Sequence, residues 1–159
     1  MEKVINYPLT IKKLNANDKI PYELLLLADE TIDAINKYIF DSELHVVELE
    51  GKIIAIYVLF PINEQEMEIK NIAVKHEYQN QGIGKFLLQD AMFKGKEKKI
   101  KFLIIGTAST AIKQLKLYKG VGFKPFGTKK DFFIINYPKA IIEDGMQLKD
   151  MIMLRKELV

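Results

Sequence analysis

The stretch "EYQNQGIGKFLLQDA", Glu77 to Ala91, places two glycines directly before an amphipathic run. Glycine is costly to order, so Gly82 and Gly84 indicate either a positive φ or a close approach of the backbone to another group. The first amides of a helix have no intrahelical partner, and the aligned peptide dipoles make that end partly positive. A bound phosphate is therefore one interpretation, and an ordinary tight turn from strand to helix is the other.

The segments on either side of the two glycines favour the interpretation that the loop binds a phosphate. The preceding "MEIKNIAV" is rich in β-forming residues and predicts a strand. The following residues predict a helix, because apolar side chains recur at helical spacing at Ile83, Phe86, Leu87, Ala91 and Met92. A strand, a loop and a helix thus follow one another directly, which is the order that an anion-binding loop requires.

Downstream of this unit, "IKFLIIGTA" is a continuous apolar run, typical of a strand buried on both faces. The segment "STAIKQLKLYKGVGF" predicts a helix that begins at Ser109 or Thr110 and ends at Gly120 or Gly122. Two further strands are predicted within "FKPFGTKKDFFIINY" and "GMQLKDMIMLRKEL", around the less regular segment "PKAIIEDG".

Upstream, a short alternating run, "YPLTIKKLN", predicts a first strand, and "DKIPYELLLLADETIDAINKYIF" predicts two short consecutive helices. A hairpin is predicted in "ELHVVELEGKIIAIYVLFP", with its turn at "EGK". Strands with interspersed helices predict an α/β or α+β fold. Because the 159 residues contain no repeat and no low-complexity linker, we expect a single domain over residues 1–159.

The composition excludes several classes of function. A formal charge of +3 suits an anionic ligand but falls short of a nucleic-acid-binding signature. The absence of cysteine excludes disulfides, thiolate metal sites and a cysteine nucleophile, and it agrees with a reducing compartment. His45 and His76 have no neighbouring ligands, so no metal is expected. No signal peptide or membrane-spanning run is recognisable, so we expect a cytoplasmic protein without a membrane partner.

Two well-known phosphate-binding loops do not fit. A Walker A loop needs glycine where Gln79 stands and a hydroxyl where Phe86 stands, so ATP or GTP hydrolysis is not expected. A dinucleotide-binding loop needs a third glycine where Leu87 stands, and it follows the first strand of its domain, which this loop does not.

Two motifs do fit a known family, and they occur in order on the expected elements. The first is Q-x-x-G-x-G and the second is Y-x-x-x-G-F, at Gln79, Gly82 and Gly84 and at Tyr118, Gly122 and Phe123. With them the chain resembles the GNAT superfamily of acetyl-CoA-dependent N-acetyltransferases, most clearly from Met67 to Phe123. The tail "DFFIINYPKAIIEDGMQLKDMIML" is similar to a small bacterial branch of acetyltransferases without an assigned acceptor.

The resemblance implies an α/β fold with a central mixed, largely antiparallel and twisted sheet. It implies about six to seven strands flanked by about four helices, with the sheet splayed between the fourth and fifth strands. It also implies acetyl-CoA as a cosubstrate, with the pyrophosphate wrapped by the loop amides and the pantetheine arm paired with the strand before the loop. An amide near Ile72 would polarise the thioester carbonyl.

The resemblance assigns one set of residues to coenzyme A. In many relatives an asparagine just after the buried strand contacts the pantetheine, and here only Ser109 or Thr110 could replace it, or else cap the following helix. The full set is Asn71, Ile72, Ala73, Val74, Gln79, Asn80, Gln81, Gly82, Ile83, Gly84, Lys85, Ser109 and Thr110.

Two residues are candidates for the chemistry. Glu68 falls where the histone-acetylating branch of the family has its glutamate and is the candidate general base; the alternative is a surface carboxylate that pairs with Lys70. Tyr118 is the candidate acid for the departing thiolate, with a free-phenol pKa of about 10 against about 8.5 for a thiol; the alternative is an aromatic core residue.

The resemblance implies direct attack by the primary amine of a small molecule, peptide or protein in a ternary complex. A rival hypothesis is a non-catalytic acyl-CoA sensor of the same fold. The acceptor itself cannot be read from the sequence, because the segments that contact it in this family, here Lys19 to Phe40 and Asp131 to Tyr137, carry no transferable code. A homodimer through the last strands is common among relatives and stays open here.

Overall fold

A computed structural model describes residues 8–158 of the chain, and its strands and helices alternate as follows. The strands are β1 Ile11–Lys13, β2 Glu43–Leu49, β3 Lys52–Pro61, β4 Glu66–Val74, β5 Phe102–Ala108, β6 Lys124–Lys129, β7 Ile142–Glu143, β8 Met146–Gln147 and β9 Met151–Glu157. The α-helices are α1 Tyr22–Leu25, α2 Ile32–Asn36, α3 Ile83–Glu97, α4 Ile112–Gly120 and α5 Phe132–Asn136, and short 3₁₀ turns span Ile39–Asp41 and His76–Tyr78. Tyr7, the first residue of the predicted first strand, lies outside the described residues.

The main sheet of residues 8–158 has seven strands in the order β1-β2-β3-β4-β5-β9-β6. Strands β4 and β5 are parallel, and every other neighbouring pair in this sheet is antiparallel. The predicted mixed, largely antiparallel sheet is therefore confirmed. The described chain has five α-helices where the resemblance implied about four.

The two parallel strands separate half-way along their length. They pair from Glu66 opposite Phe102 to Ile69 opposite Ile105, and beyond that point β4 continues to Val74 without pairing to β5. The region beyond Ile69 and Ile105 is referred to below as the β4–β5 cleft. The predicted splay between the fourth and fifth strands is confirmed.

A β-bulge lies in β4 where the cleft opens. Val58 of β3 is opposite Asn71, but the next residue, Leu59, is opposite Ile69, so Lys70 is an extra residue. The extra residue shifts the alternation of side chains, so that Ile69 and Ile72 both pack on the side of α3. Asn71 is turned toward the opposite face of the sheet, where its side chain contacts α1.

The two faces of the sheet have separate apolar cores. The long helix α3 covers one face with Leu87, Leu88 and Ala91, which are fully buried. The short helices α1 and α2 cover the other face through residues such as Leu25 and Ile35. Helices of four and five residues are unstable in isolation, so the packing of their apolar side chains against the sheet holds them in place.

Two local expectations are wrong. The "DFFIINY" part of a predicted strand forms α5 instead, and α4 begins at Ile112 after the N-cap residue Ala111, without a side-chain cap. Ser109 and Thr110 therefore belong to a turn after β5 and do not cap the helix. The β-forming composition before Tyr137 is overridden by tertiary contacts, because the backbone amide of Phe133 donates to the carbonyl of Lys149.

Within residues 8–158, no helix combines the length and the apolar character that crossing a bilayer requires.

Candidate active site

A cavity of about 720 Å³ follows the β4–β5 cleft from the start of α3 to the segment between α1 and α2 and to the helices α2 and α5. Most of the residues that sequence reasoning assigned to the site line it. These are Glu68, Asn71, Ile72, Ala73, Val74, Gln79, Asn80, Gly82, Ile83, Gly84, Lys85 and Tyr118. Gln81, Ser109 and Thr110 do not line it, whereas Ala108 and Ala111, on either side of the latter two, do. The structure therefore does not bring the two hydroxyls to the cavity.

The loop before α3 has a left-handed backbone at two positions. Asn80 has a φ of 62° and Gly82 has a φ of 83°, and Gly82 is the N-cap of α3. The first amide that bonds into the helix is that of Phe86, which donates to the carbonyl of Gly82 at 3.0 Å. The amides of Ile83, Gly84 and Lys85 precede it and have no partner inside the helix, so this end can bind an anion.

The two glycines are required for different reasons. At Gly82 a side chain would meet no atom within 4 Å, but the positive φ disfavours any other residue. Gly84 has no such φ, and a Cβ there would lie 3.5 Å from Leu117 Cδ2, which is an ordinary contact. Neither packing nor backbone conformation explains Gly84, and the absence of a side chain leaves room for a ligand at this position.

Side chains of the loop brace it against neighbouring elements. The Gln79 side-chain amide donates to the carbonyl of Val74 at 2.9 Å, which ties the loop to the end of β4. Lys113 of α4 donates to Asn80 Oδ1 at 3.0 Å. Lys85 and Lys113 also line the cavity and bring positive charge to this end of it.

Tyr118 lies on α4 and is 5% exposed, with its ring tilted against Phe123 at 6.3 Å between centroids. Burial raises the pKa of the Tyr118 phenol to about 12. The hydroxyl therefore stays protonated at physiological pH and can act as a hydrogen-bond donor in the cavity. The Tyr118 phenol is therefore a weaker acid than a free phenol, whose pKa is about 10.

Glu68 lies on β4 with 8% of its surface exposed, so it is not the surface carboxylate of the alternative reading. Its Oε1 is 3.2 Å from Lys70 Nζ, which also lies over the ring of Phe60 at 5.5 Å. Glu68 thus forms the ion pair with Lys70 that the alternative interpretation predicted, and both residues line the cavity.

On the α1–α2 side, the cavity contains a hydrogen-bond network that the sequence analysis missed. Asp29 accepts hydrogen bonds from the hydroxyls of Tyr38 and Tyr137, and Tyr38 in turn accepts one from Asn71 Nδ2. These four residues are far apart in sequence and form no motif, so no sequence signal could have shown that they meet.

The comparisons with known proteins agree with this geometry. The model of the acetyltransferase (GNAT) family matches residues 14–123. The uncharacterized N-acetyltransferase YvbK of Bacillus subtilis (strain 168) is 38% identical over 142 residues, which cover 89% of this chain and 91% of the relative. The chain belongs to the GNAT acetyltransferase family.

Solved structures of GNAT relatives match almost the whole chain. A GNAT family acetyltransferase from Elizabethkingia anophelis with acetyl-CoA bound is 44% identical, with a TM-score of 0.91, and the match covers 94% of this chain and 97% of that one. A protein from Bacillus cereus ATCC 14579 called an IAA acetyltransferase is 37% identical, with a TM-score of 0.89 and coverages of 94% and 99%.

The structural account of Gly84 predicts the effect of Gly84→Ala. The variant should fold normally, since alanine favours the helix and its Cβ has room beside Leu117. Its dissociation constant for coenzyme A should rise about tenfold or more, because the methyl group would occupy the space that a phosphate needs at the free amides. Isothermal calorimetry measures the change.

Gly120→Ala is the matched control, because this residue of α4 has no atom within 4 Å of an added Cβ and does not line the cavity. It should leave the affinity unchanged. Equal affinities for the wild type and Gly84→Ala would contradict the placement of the phosphate.

Proposed function

We propose that this GNAT protein transfers the acetyl group of acetyl-CoA to a primary amine by direct attack in a ternary complex. The observation that carries the proposal is the continuity of one cavity. It joins the free amides at the start of α3, the β4–β5 cleft, the Tyr118 hydroxyl and the acidic network around Asp29. A donor and an acceptor can therefore meet inside it.

The donor would lie along β4 and the start of α3. The amides of Ile83 to Lys85 would hold the pyrophosphate, with Lys85 and Lys113 adding positive charge. The β4 backbone from Ile72 to Val74 has no pairing partner in β5, so it is free to pair with the pantetheine arm as an added strand would. Bound there, acetyl-CoA supplies an activated acetyl thioester.

Several groups of the chain would assist the transfer. The attacking amine must be neutral, and Glu68 would accept its proton directly or through a water molecule. The amine nitrogen forms a bond to the carbonyl carbon while the carbon–sulfur bond breaks and its electron pair stays on sulfur. An amide of β4 near Ile72 would stabilise the negative charge on the carbonyl oxygen.

Tyr118 would donate its hydroxyl proton to the departing sulfur. A phenol with a pKa of about 12 is a poor acid toward a thiolate in water. The same burial also disfavours a thiolate beside the phenol. It therefore raises the pKa of the thiol and narrows the difference between the thiol pKa and the Tyr118 pKa. The resulting tyrosinate would then take the proton that the acetylated nitrogen must lose to become an amide, which restores Tyr118 for the next turnover.

The relatives bear on the choice of acceptor atom. The name of the Bacillus subtilis relative specifies transfer to nitrogen, which supports an amine. The name of the Bacillus cereus relative gives IAA as its substrate, so IAA belongs in the set of compounds to be tested here. Aromatic side chains of the lining, including Phe60, Phe132 and Phe133, make an alkyl amine that carries an aromatic ring, such as tyramine, a suitable test compound as well.

A thiol-release assay with acetyl-CoA tests the proposed reaction. The acceptors to compare are tyramine, spermidine, kanamycin, lysine, a peptide with a free amino terminus, and IAA. We expect at least one amine to raise thiol release above the rate with acetyl-CoA alone, with an N-acetylated product visible by mass spectrometry. Tight binding of acetyl-CoA by calorimetry, without thiol release in any mixture, would instead favour the non-catalytic sensor. Thiol release with IAA but with none of the amines would contradict an amine acceptor.

The variant Tyr118→Phe tests the proposed acid. Its kcat should fall by about 100-fold, because a general acid commonly contributes at least that much. Its affinity for coenzyme A should stay within about threefold, since the ring that packs beside Phe123 remains. Steady-state kinetics and calorimetry together measure both effects.

Tyr22→Phe serves as the control, because its hydroxyl bonds to Asn36 Oδ1 outside the cavity lining. It should keep the wild-type kcat. A Tyr118→Phe variant as active as this control would remove Tyr118 from the mechanism.

A further inference from the structure

The side chain of Asn71 has one oxygen without a hydrogen-bond partner. Asn71 is 3% exposed and lies on β4 directly after the bulge. Its Nδ2 donates to the carbonyl of Leu25 at 3.0 Å and to the hydroxyl of Tyr38 at 3.2 Å. Its Oδ1 is buried and has no partner within residues 8–158. A buried acceptor without a donor costs about 1–3 kcal/mol, so the arrangement needs a reason.

The orientation of this amide is set by its neighbours. The carbonyl of Leu25 can only accept a hydrogen bond, so the atom that faces it at 3.0 Å must be Nδ2. Turning the amide over would place two acceptors against each other. The atom without a hydrogen-bond partner is therefore Oδ1.

The network around Asn71 keeps this orientation and leaves Oδ1 as the atom in need of a donor. The Tyr38 hydroxyl accepts from Asn71 Nδ2 and donates to Asp29 Oδ2 at 3.1 Å. The Tyr137 hydroxyl donates to Asp29 Oδ1 at 2.6 Å, and the amide of Glu30 donates to the same oxygen at 2.8 Å. Burial raises the pKa of both tyrosines, so they remain protonated donors.

Two ligand groups could supply the missing hydrogen-bond donor: the pantetheine arm of acetyl-CoA or the amine of the acceptor. The geometry distinguishes between them. The pantetheine arm would pair with the β4 backbone in the plane of the sheet, toward β5. The Asn71 side chain instead leaves the sheet toward α1, where it meets Leu25 and Tyr38. That side of the cavity also contains Asp29, whose carboxylate suits an amine that arrives as an ammonium.

We propose that Asn71 Oδ1 accepts a hydrogen bond from the attacking amine and so positions it beside the acetyl group. This role rests on the proposed acetyl transfer and adds the residue that receives the acceptor. Ile72, whose amide region would hold the thioester carbonyl, is the next residue of the strand. An amine bound to Asn71 would therefore lie beside the residue whose amide faces the thioester.

The role predicts a selective loss in Asn71→Ser and in Asn71→Thr, which remove Oδ1 and keep a small polar side chain at this position. Tyramine is the probe, with spermidine as a second amine. The KM for the amine should rise at least about tenfold, the loss expected for one hydrogen bond to a charged group. The dissociation constant for acetyl-CoA should change by less than about threefold. Thiol-release kinetics and calorimetry supply the two values.

The matched control is Met67→Leu, because Met67 is buried on the same strand at 3% exposure and does not line the cavity. It should keep the amine KM of the wild type. Either of two results would overturn the role of Asn71. An unchanged amine KM with a lower melting temperature would make Asn71 a structural residue, and a weakened affinity for acetyl-CoA would make it a cofactor contact.

Failure of the underlying reaction would give a different result. If wild-type protein binds acetyl-CoA but acetylates neither tyramine nor spermidine, the proposed transfer to these amines is contradicted, and the role of Asn71 falls with it. If wild-type protein acetylates either amine and the Asn71 variants keep its KM, only the role of Asn71 is contradicted.

Discussion

The structure depends on the loss of hydrogen bonding between β4 and β5 beyond Ile69 and Ile105. A backbone that leaves its neighbour inside a sheet exposes polar groups that need partners. Here the half of β4 that does not pair with β5 lines a cavity, so a ligand in that cavity can supply those partners. The bulge at Lys70 lies where the separation begins, and it turns Asn71 toward α1 while Ile72 stays over the α3 core.

The loop after β4 would form the second half of the proposed donor site. The left-handed residues Asn80 and Gly82 turn the chain so that α3 starts at the end of the cleft, and the Gln79 side chain holds the loop on β4. The cleft and the free amides of α3 are therefore fixed relative to each other by short local contacts. An elongated ligand with an anionic group near one end and an amide-containing arm matches that arrangement.

Local sequence patterns predicted the strand, the loop and the helix that form the proposed donor half of the site. The glycines, the strand before them and the helix after them are adjacent in sequence, and backbone geometry alone dictates what they form. The other half of the cavity, which we propose receives the acceptor, could not be predicted in this way. Asp29, Tyr38, Asn71 and Tyr137 meet only through the tertiary fold, and α5 forms where aromatic and β-branched residues favoured a strand.

Ser109 and Thr110 show the limit of transferring a role by position. A hydroxyl just after β5 could have replaced the asparagine of other relatives, but both residues lie in a turn outside the cavity lining. Asn71 shows the converse. The resemblance assigned it to coenzyme A through its backbone, whereas its side chain belongs to the network on the opposite face of the sheet.

Amide hydrogen exchange, measured by NMR with and without coenzyme A, tests the central claim most directly. If the pyrophosphate accepts hydrogen bonds from the start of α3, the amides of Ile83, Gly84 and Lys85 should exchange more slowly in the complex. Exchange at these three amides that is unchanged at a coenzyme A concentration shown by calorimetry to saturate the protein would contradict the account.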